Sequence, residues 1–147
     1  MINKINWNKY IVKKEFISTH GIKLPFKYEF DLLNLKENKD DSLKIFNFIF
    51  HFDKIFNIIY INSINPSSLY SIAKFIYYPN YNKLDYFNIN LKMDYIIYDD
   101  IITTFKTMRE VINIVGYNPL FCICLKNRMK ELNYIINIKI IEVSEFL

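Results

Sequence analysis

The sequence predicts an α+β domain of the ferredoxin-like split β-α-β class, ordered β-α-β-β-α-β, with a long β-hairpin and an inserted helix. Three observations predict it. Residues 26–32 and 86–93 alternate apolar and polar side chains with period two. Asn118-Pro119 is a helix start, since Asn can cap an orphan N–H and Pro fits the first helical position. Ile136, Ile138 and Ile140 then lie on one face of a closing strand.

Each element has its own justification. Residues 1–25 carry Lys4, Lys9, Lys13, Lys14 and Lys23 against Glu15, and read as a basic arm anchored by Trp7 and Phe16. The domain proper spans 26–147. Phe26, Tyr28, Phe30 and Leu32 alternate with Lys27, Glu29 and Asp31 as a first strand. After a polar loop at 36–41, one of Asp40, Asp41 and Ser42 caps a helix to about Phe56, with strand as the competing reading. Residues 58–64 form a short strand, and the turn Asn65-Pro66-Ser67-Ser68 opens an inserted helix at 69–78, inside an insertion of about 67–85. The hairpin goes out at 86–93, turns at 94–100 and returns through 101–115. A helix from Asn118 to about Leu132 and a strand at 134–143 complete the order. Topology of this kind serves many functions and selects none.

Composition narrows the reading. The 147 residues suffice for one well-buried core. The chain has 27 Ile, 18 Asn, 12 Tyr and 13 Phe against one Ala and two Gly. Those favoured residues share A/T-rich codons, so the skew points to an AT-rich genome, and Asn or Tyr abundance is no functional signal. A net charge of +4 permits an anionic partner without the dense basicity that marks nucleic-acid binding by itself. Residues 43–64 are apolar, but His51, Asp53 and Lys54 interrupt them, which argues against a membrane span.

Catalytic chemistry finds little footing. His20 and His51 are isolated, Gly21 and Gly116 build no phosphate loop, and Asp99-Asp100 sits at the expected hairpin tip rather than across a cleft. Cys122 and Cys124, two apart on the expected helix, point to opposite sides, cannot share a metal and read as core. The expectation is therefore no enzyme, no catalytic residue, no metal, no cofactor and no small-molecule substrate.

From about Lys27 to Val143 the chain resembles the tenth protein of the small ribosomal subunit, the NusE family, in a divergent organellar form. Phe105-Lys106-Thr107-Met108-Arg109-Glu110-Val111-Ile112-Asn113-Ile114 is similar to that family's returning strand, with Met108 in place of a His and Asn113 in place of an Asp. Tyr86-Phe87-Asn88-Ile89-Asn90-Leu91 resembles the strand entering the hairpin, and Tyr60 to Pro66 falls where the family has a Pro-rich segment. Residues 125–132 and 136–143 resemble the second helix and the last strand. The lost prolines, the 67–85 insertion and the acidic, aromatic tip Asp94 to Asp100 depart from the family.

The resemblance implies a structural constituent of the small ribosomal subunit, bracing ribosomal RNA of the head and touching neighbouring head proteins during translation. It implies a mitochondrial, ribosome-bound location, with organelle encoding. Lys92, Lys106, Thr107 and Arg109 on the hairpin, then Lys126, Arg128 and Lys130, are the RNA-binding candidates it implies, acting on phosphates and shape. A solvated cationic face explains the same residues. Tyr95 and Tyr98 could stack on bases, although packing against protein explains them better. The alternatives are an accessory structural subunit of an organellar membrane complex and a ferredoxin-like small-molecule regulatory domain.

Overall fold

A computed structural model describes residues 4–13, 28–61, 75–86, 94–129 and 136–147. Its centre is a six-stranded sheet ordered β5-β4-β3-β6-β7-β8. The strands are β3 (Asn57–Ile61), β4 (Phe75–Tyr78), β5 (Lys83–Tyr86), β6 (Tyr95–Ile102), β7 (Cys122–Asn127) and β8 (Ile140–Glu142). Strands β4, β3, β6, β7 and β8 run parallel, and β5 pairs antiparallel with β4 at one edge. A separate two-stranded sheet joins β1 (Ile11–Lys13) to β2 (Tyr28–Phe30).

This architecture is a mostly parallel α/β sheet and corrects the expected split β-α-β class. Parallel strands need both faces covered, so they read as unbroken apolar runs rather than alternations. In β3, Ile58 to Ile61 are all buried, as are Tyr95 to Tyr98 in β6 and Cys122 to Leu125 in β7. On one face, Ile58, Tyr60, Ile96, Tyr98, Ile123 and Leu125 pack with Tyr10, Leu35, Ile45 and Ile49. The other face gathers Ile59, Ile61, Tyr77, Ile97, Cys122 and Cys124 with Phe105, Met108 and Val111.

Helices α1 (Leu32–Glu37) and α2 (Lys39–Asp53) stand on the first face. Asp31 accepts from the Asn34 amide at 3.0 Å to cap α1, and Asn38 accepts from the Asp41 amide at 3.1 Å to cap α2. Asn38, rather than Asp40, Asp41 or Ser42, is thus the cap. Asp41 is buried and takes the Tyr10 hydroxyl instead, with Lys9 Nζ at 3.3 Å. Within the expected basic arm, Ile5 and Tyr10 are buried and Trp7 packs against the core. Phe16 and the rest of the arm at 14–25 lie outside the described residues.

The expected long hairpin separates into different elements. Asp94 to Asp100, the expected tip, contains most of β6, which pairs in parallel with β3 through Asn57 opposite Tyr95 and Tyr60 opposite Tyr98. The expected returning strand is helix α3 (Lys106–Val115). Met108, Val111, Ile112 and Val115 recur at three- and four-residue intervals and face the second cluster, and left-handed Gly116 ends the helix. The alternation of Ile112, Asn113 and Ile114 was too short to decide between the two periods. The expected helix at 118–132 contains β7, with Asn118-Pro119 in the loop before it. Residues 75–78 of the expected inserted helix form β4, and 62–74 lie outside the described residues.

As alternate residues of β7, Cys122 and Cys124 share one face, and both are buried in the second cluster. Burial, then the nearby Asp99 carboxylate, pushes the Cys122 thiol from 9.0 to about 12, and burial raises Cys124 as well. A thiol held neutral in this way contributes stability that is complete below pH 9 and is lost as pH rises toward 12. The expected outcome is that neither cysteine reacts with Ellman's reagent at pH 8 in the folded protein, while both react after urea unfolding. Rapid native labelling would contradict the packing described here.

Candidate functional site

The chain enters the sheet at β3, moves outward to β4 and β5, then returns to place β6 on the other side of β3. The order therefore reverses between β3 and β6. In open parallel sheets, ligands bind outside the carboxyl ends of the strands at such a switch point. Here that edge carries Asp99 and Asp100 near the end of β6, then Thr103, Thr104 and Phe105, and the first turn of α3 with Lys106 and Thr107.

Asp100 is 2% exposed and accepts a hydrogen bond from the Tyr98 hydroxyl at 2.7 Å. Asp99 as a residue retains some accessible surface, but its carboxyl is desolvated. Burial, reinforced by the adjacent Asp100 charge, holds that carboxyl well above its ordinary value of 3.8, against the backbone N–H groups of Asp100 and Ile101 that favour ionisation. Two acids with different surroundings thus adjoin one strand end.

The turn between β6 and α3 is unusual in its backbone. Phe105 occupies the N-cap of α3 in the left-handed region, with φ +66° and ψ 5°, where glycine is the default residue. Its ring is buried beside Met108 and Val111, which holds the turn against the core. Phe105 has no side-chain acceptor to offer the first helical N–H groups. The first turn of α3 contains no acid, while Lys106 and Arg109 are exposed on it. Cations here add to the positive end of the helix dipole, an arrangement that favours a bound anion.

The carboxyl end of β7 lies alongside. Ile101 and Ile102 are paired with Lys126 and Asn127, and the Arg128 amide donates to the Ile102 carbonyl at 2.8 Å. Glu142 on β8 accepts from the Asn127 amide at 2.8 Å and lies 3.6 Å from Lys126 Nζ.

Of the residues expected to bind RNA, Lys106 and Thr107 open α3 and Arg109 follows one turn along, while Lys126 and Arg128 close β7. The parallel topology brings both groups to one edge of the sheet. Lys126 is engaged with Glu142, and Arg128 is buried. Lys92 and Lys130 lie outside the described residues. Sequence reasoning missed Asp99, Asp100, Thr103 and Thr104 as one group. A strand–turn–helix signal was available, since the apolar run Tyr95 to Tyr98 precedes them and the helical spacing from Met108 to Gly116 follows. Among the described residues, no cluster of three or more His, Cys, Asp or Glu side chains could hold a metal, and no helix is long and apolar enough to cross a membrane.

The candidate site therefore lies at the topological switch point of a mostly parallel α/β sheet. The structure is similar to the crystal structure of orotate phosphoribosyltransferase from Aeropyrum pernix, with a TM-score of 0.62 and 12% sequence identity, covering 92% of this chain and 87% of that one. No protein-family model and no curated protein sequence matches. The likeness, at that identity, is one of fold. It overturns the resemblance to the tenth small-subunit ribosomal protein, and with it the role as a ribosomal constituent. A ferredoxin-like regulatory domain is excluded by the same sheet order.

Two substitutions check the site's energetics. Asp99→Asn removes a desolvated ionisable carboxyl and is expected to stabilise the protein at pH 7. A raised folded pKa means that stability is complete below 3.8 and declines as pH rises, so the gain should vanish in acid; urea denaturation at pH 7 and pH 3.5 reads both. Phe105→Ala should lose roughly 3–5 kcal/mol. Phe105→Gly should lose no more than Ala, reversing the usual helix order, because glycine adopts the left-handed region freely.

Proposed function

We propose that this chain binds an activated 5-phosphoribosyl compound at the carboxyl edge of β3 and β6 and transfers its phosphoribosyl group to an acceptor. The observation that carries the proposal is the sequence of elements at the switch point, where a buried strand ends in Asp99-Asp100, continues through Thr103-Thr104 and opens α3 with Lys106 and Thr107. The likeness in fold to a phosphoribosyltransferase supports the same reading. The sequence reading assigned no catalytic task and no small-molecule substrate; both are replaced in this proposal.

The chemistry of the ligand matches the chemistry of the edge. A 5-phosphate is a compact dianion suited to the helix N-terminus, Lys106 and the threonine hydroxyls. A ribose presents vicinal hydroxyls that donate hydrogen bonds, and Asp99, which keeps some accessible surface, offers its carboxyl as acceptor, while Asp100 is buried and held by Tyr98. In the transfer, a bond forms between the anomeric carbon and an acceptor nitrogen while the bond from that carbon to the leaving diphosphate oxygen breaks. The acceptor proton leaves to solvent, and the diphosphate carries away the bonding electrons. Fixing the ribose while the anomeric carbon moves between the two groups is catalysis by positioning.

Calorimetric titration with 5-phosphoribosyl 1-diphosphate tests the proposal, with ribose 5-phosphate as the comparison ligand. Saturable binding is expected, weakened at least about tenfold by Lys106→Glu through loss of a charge-assisted contact. Diphosphate release on addition of orotate or another nitrogen heterocycle reports transfer. No binding of either phosphoribosyl compound at millimolar concentration overturns the proposal.

A further inference from the structure

We propose that Tyr77 is a positioning residue that couples the β4–β5 turn to the start of α3, so that order in that turn sets how the site holds its ligand. This inference rests on the phosphoribosyl reading for its functional consequence. Tyr77 is fully buried on β4, and its hydroxyl lies 2.8 Å from Glu110 Oε2 and 2.7 Å from Asn82 Oδ1. A hydroxyl has one proton. Both partners are acceptor oxygens, so the hydroxyl donates that proton to Glu110 Oε2 or to Asn82 Oδ1 at any moment, and the phenol bridges the two.

The three residues come from three places that meet at one edge. Glu110 is four residues into α3 from Lys106, so a fixed Glu110 fixes the rotation and height of the first helical turn. Asn82 ends the helical turn Pro79–Tyr81 in the left-handed conformation, with φ +47°. That turn follows the carboxyl end of β4, which is parallel to β3 and β6, and so lies at the same edge as Asp99 to Thr107. Burial, then the bond to Glu110, raises the Tyr77 phenol, so it stays a donor across neutral pH. Tyr81 on the turn is 79% exposed, which leaves the turn accessible to whatever approaches that edge.

Tyr77→Phe removes the hydroxyl and keeps the ring that fills the core. Hydrogen exchange without ligand should then quicken together at residues 79–83 and 107–111, and affinity for 5-phosphoribosyl 1-diphosphate should fall about tenfold. Glu110→Gln, which still accepts from the phenol, should remain near wild type, whereas Glu110→Ala should behave like Tyr77→Phe. Tyr60→Phe is the control. It breaks the 3.4 Å contact to Asp53 toward the opposite face and should leave exchange in α3 and ligand affinity unchanged. Faster exchange confined to residues 79–83, or unaltered affinity in Tyr77→Phe against a binding wild type, overturns the inference. If the wild type binds no phosphoribosyl compound, the functional reading falls. Coupled exchange then supports the Tyr77 link and uncoupled exchange refutes it.

Discussion

The parallel pairing of β3 with β6 is the constraint from which the rest of the structure follows. Four consecutive residues of each strand are buried, so the pair can exist only as the middle of a sheet covered on both sides. Covering one side requires α1 and α2 before β3, and covering the other requires α3 between β6 and β7. Once both faces are closed, the carboxyl edge is where chain reversals, helix starts and polar side chains gather.

A second constraint comes from the tyrosines of a core drawn from an unusual composition. Tyr10, Tyr60, Tyr77 and Tyr98 are buried, and a buried hydroxyl without a partner is costly. Each reaches a carboxylate, at Asp41, Asp53, Glu110 and Asp100 respectively. Three of these pairs link separate elements, joining the N-terminal segment to α2, α2 to β3, and β4 to α3. The fourth secures one of the acids at the candidate site. Polar atoms in the aromatic core thus specify how layers sit on the sheet, a task that apolar packing leaves less defined.

The candidate site combines three arrangements that cost stability. Asp99 is desolvated beside another acid, Phe105 holds a left-handed backbone, and α3 begins with a cation instead of an acid. These unfavourable local choices are clustered in one place, whereas α1 and α2 are capped conventionally by Asp31 and Asn38, and that contrast is what makes this edge the candidate site.

The sequence alone was enough to read a helix over most of α2 and a short strand at β3 after it, but the polar stretch 36–41 that reads as a loop is the end of α1 and the start of α2, broken only at Asn38. The sequence also held the signal for α3 in the spacing of Met108, Val111, Ile112 and Val115 before Gly116. It did not determine sheet order or strand direction. A short buried apolar run such as Cys122 to Leu125 has the same local appearance in a helix, a hairpin or a parallel strand. Asn118-Pro119 carries a helix-start pattern that the loop before β7 uses differently. Only tertiary structure decided that β6 pairs with β3 in parallel, because that pairing is stabilised by residues nearly forty positions away and by two layers of cover. That decision moved Asp99 and Asp100 from a supposed hairpin tip to the switch point of a sheet, where their chemistry can be used.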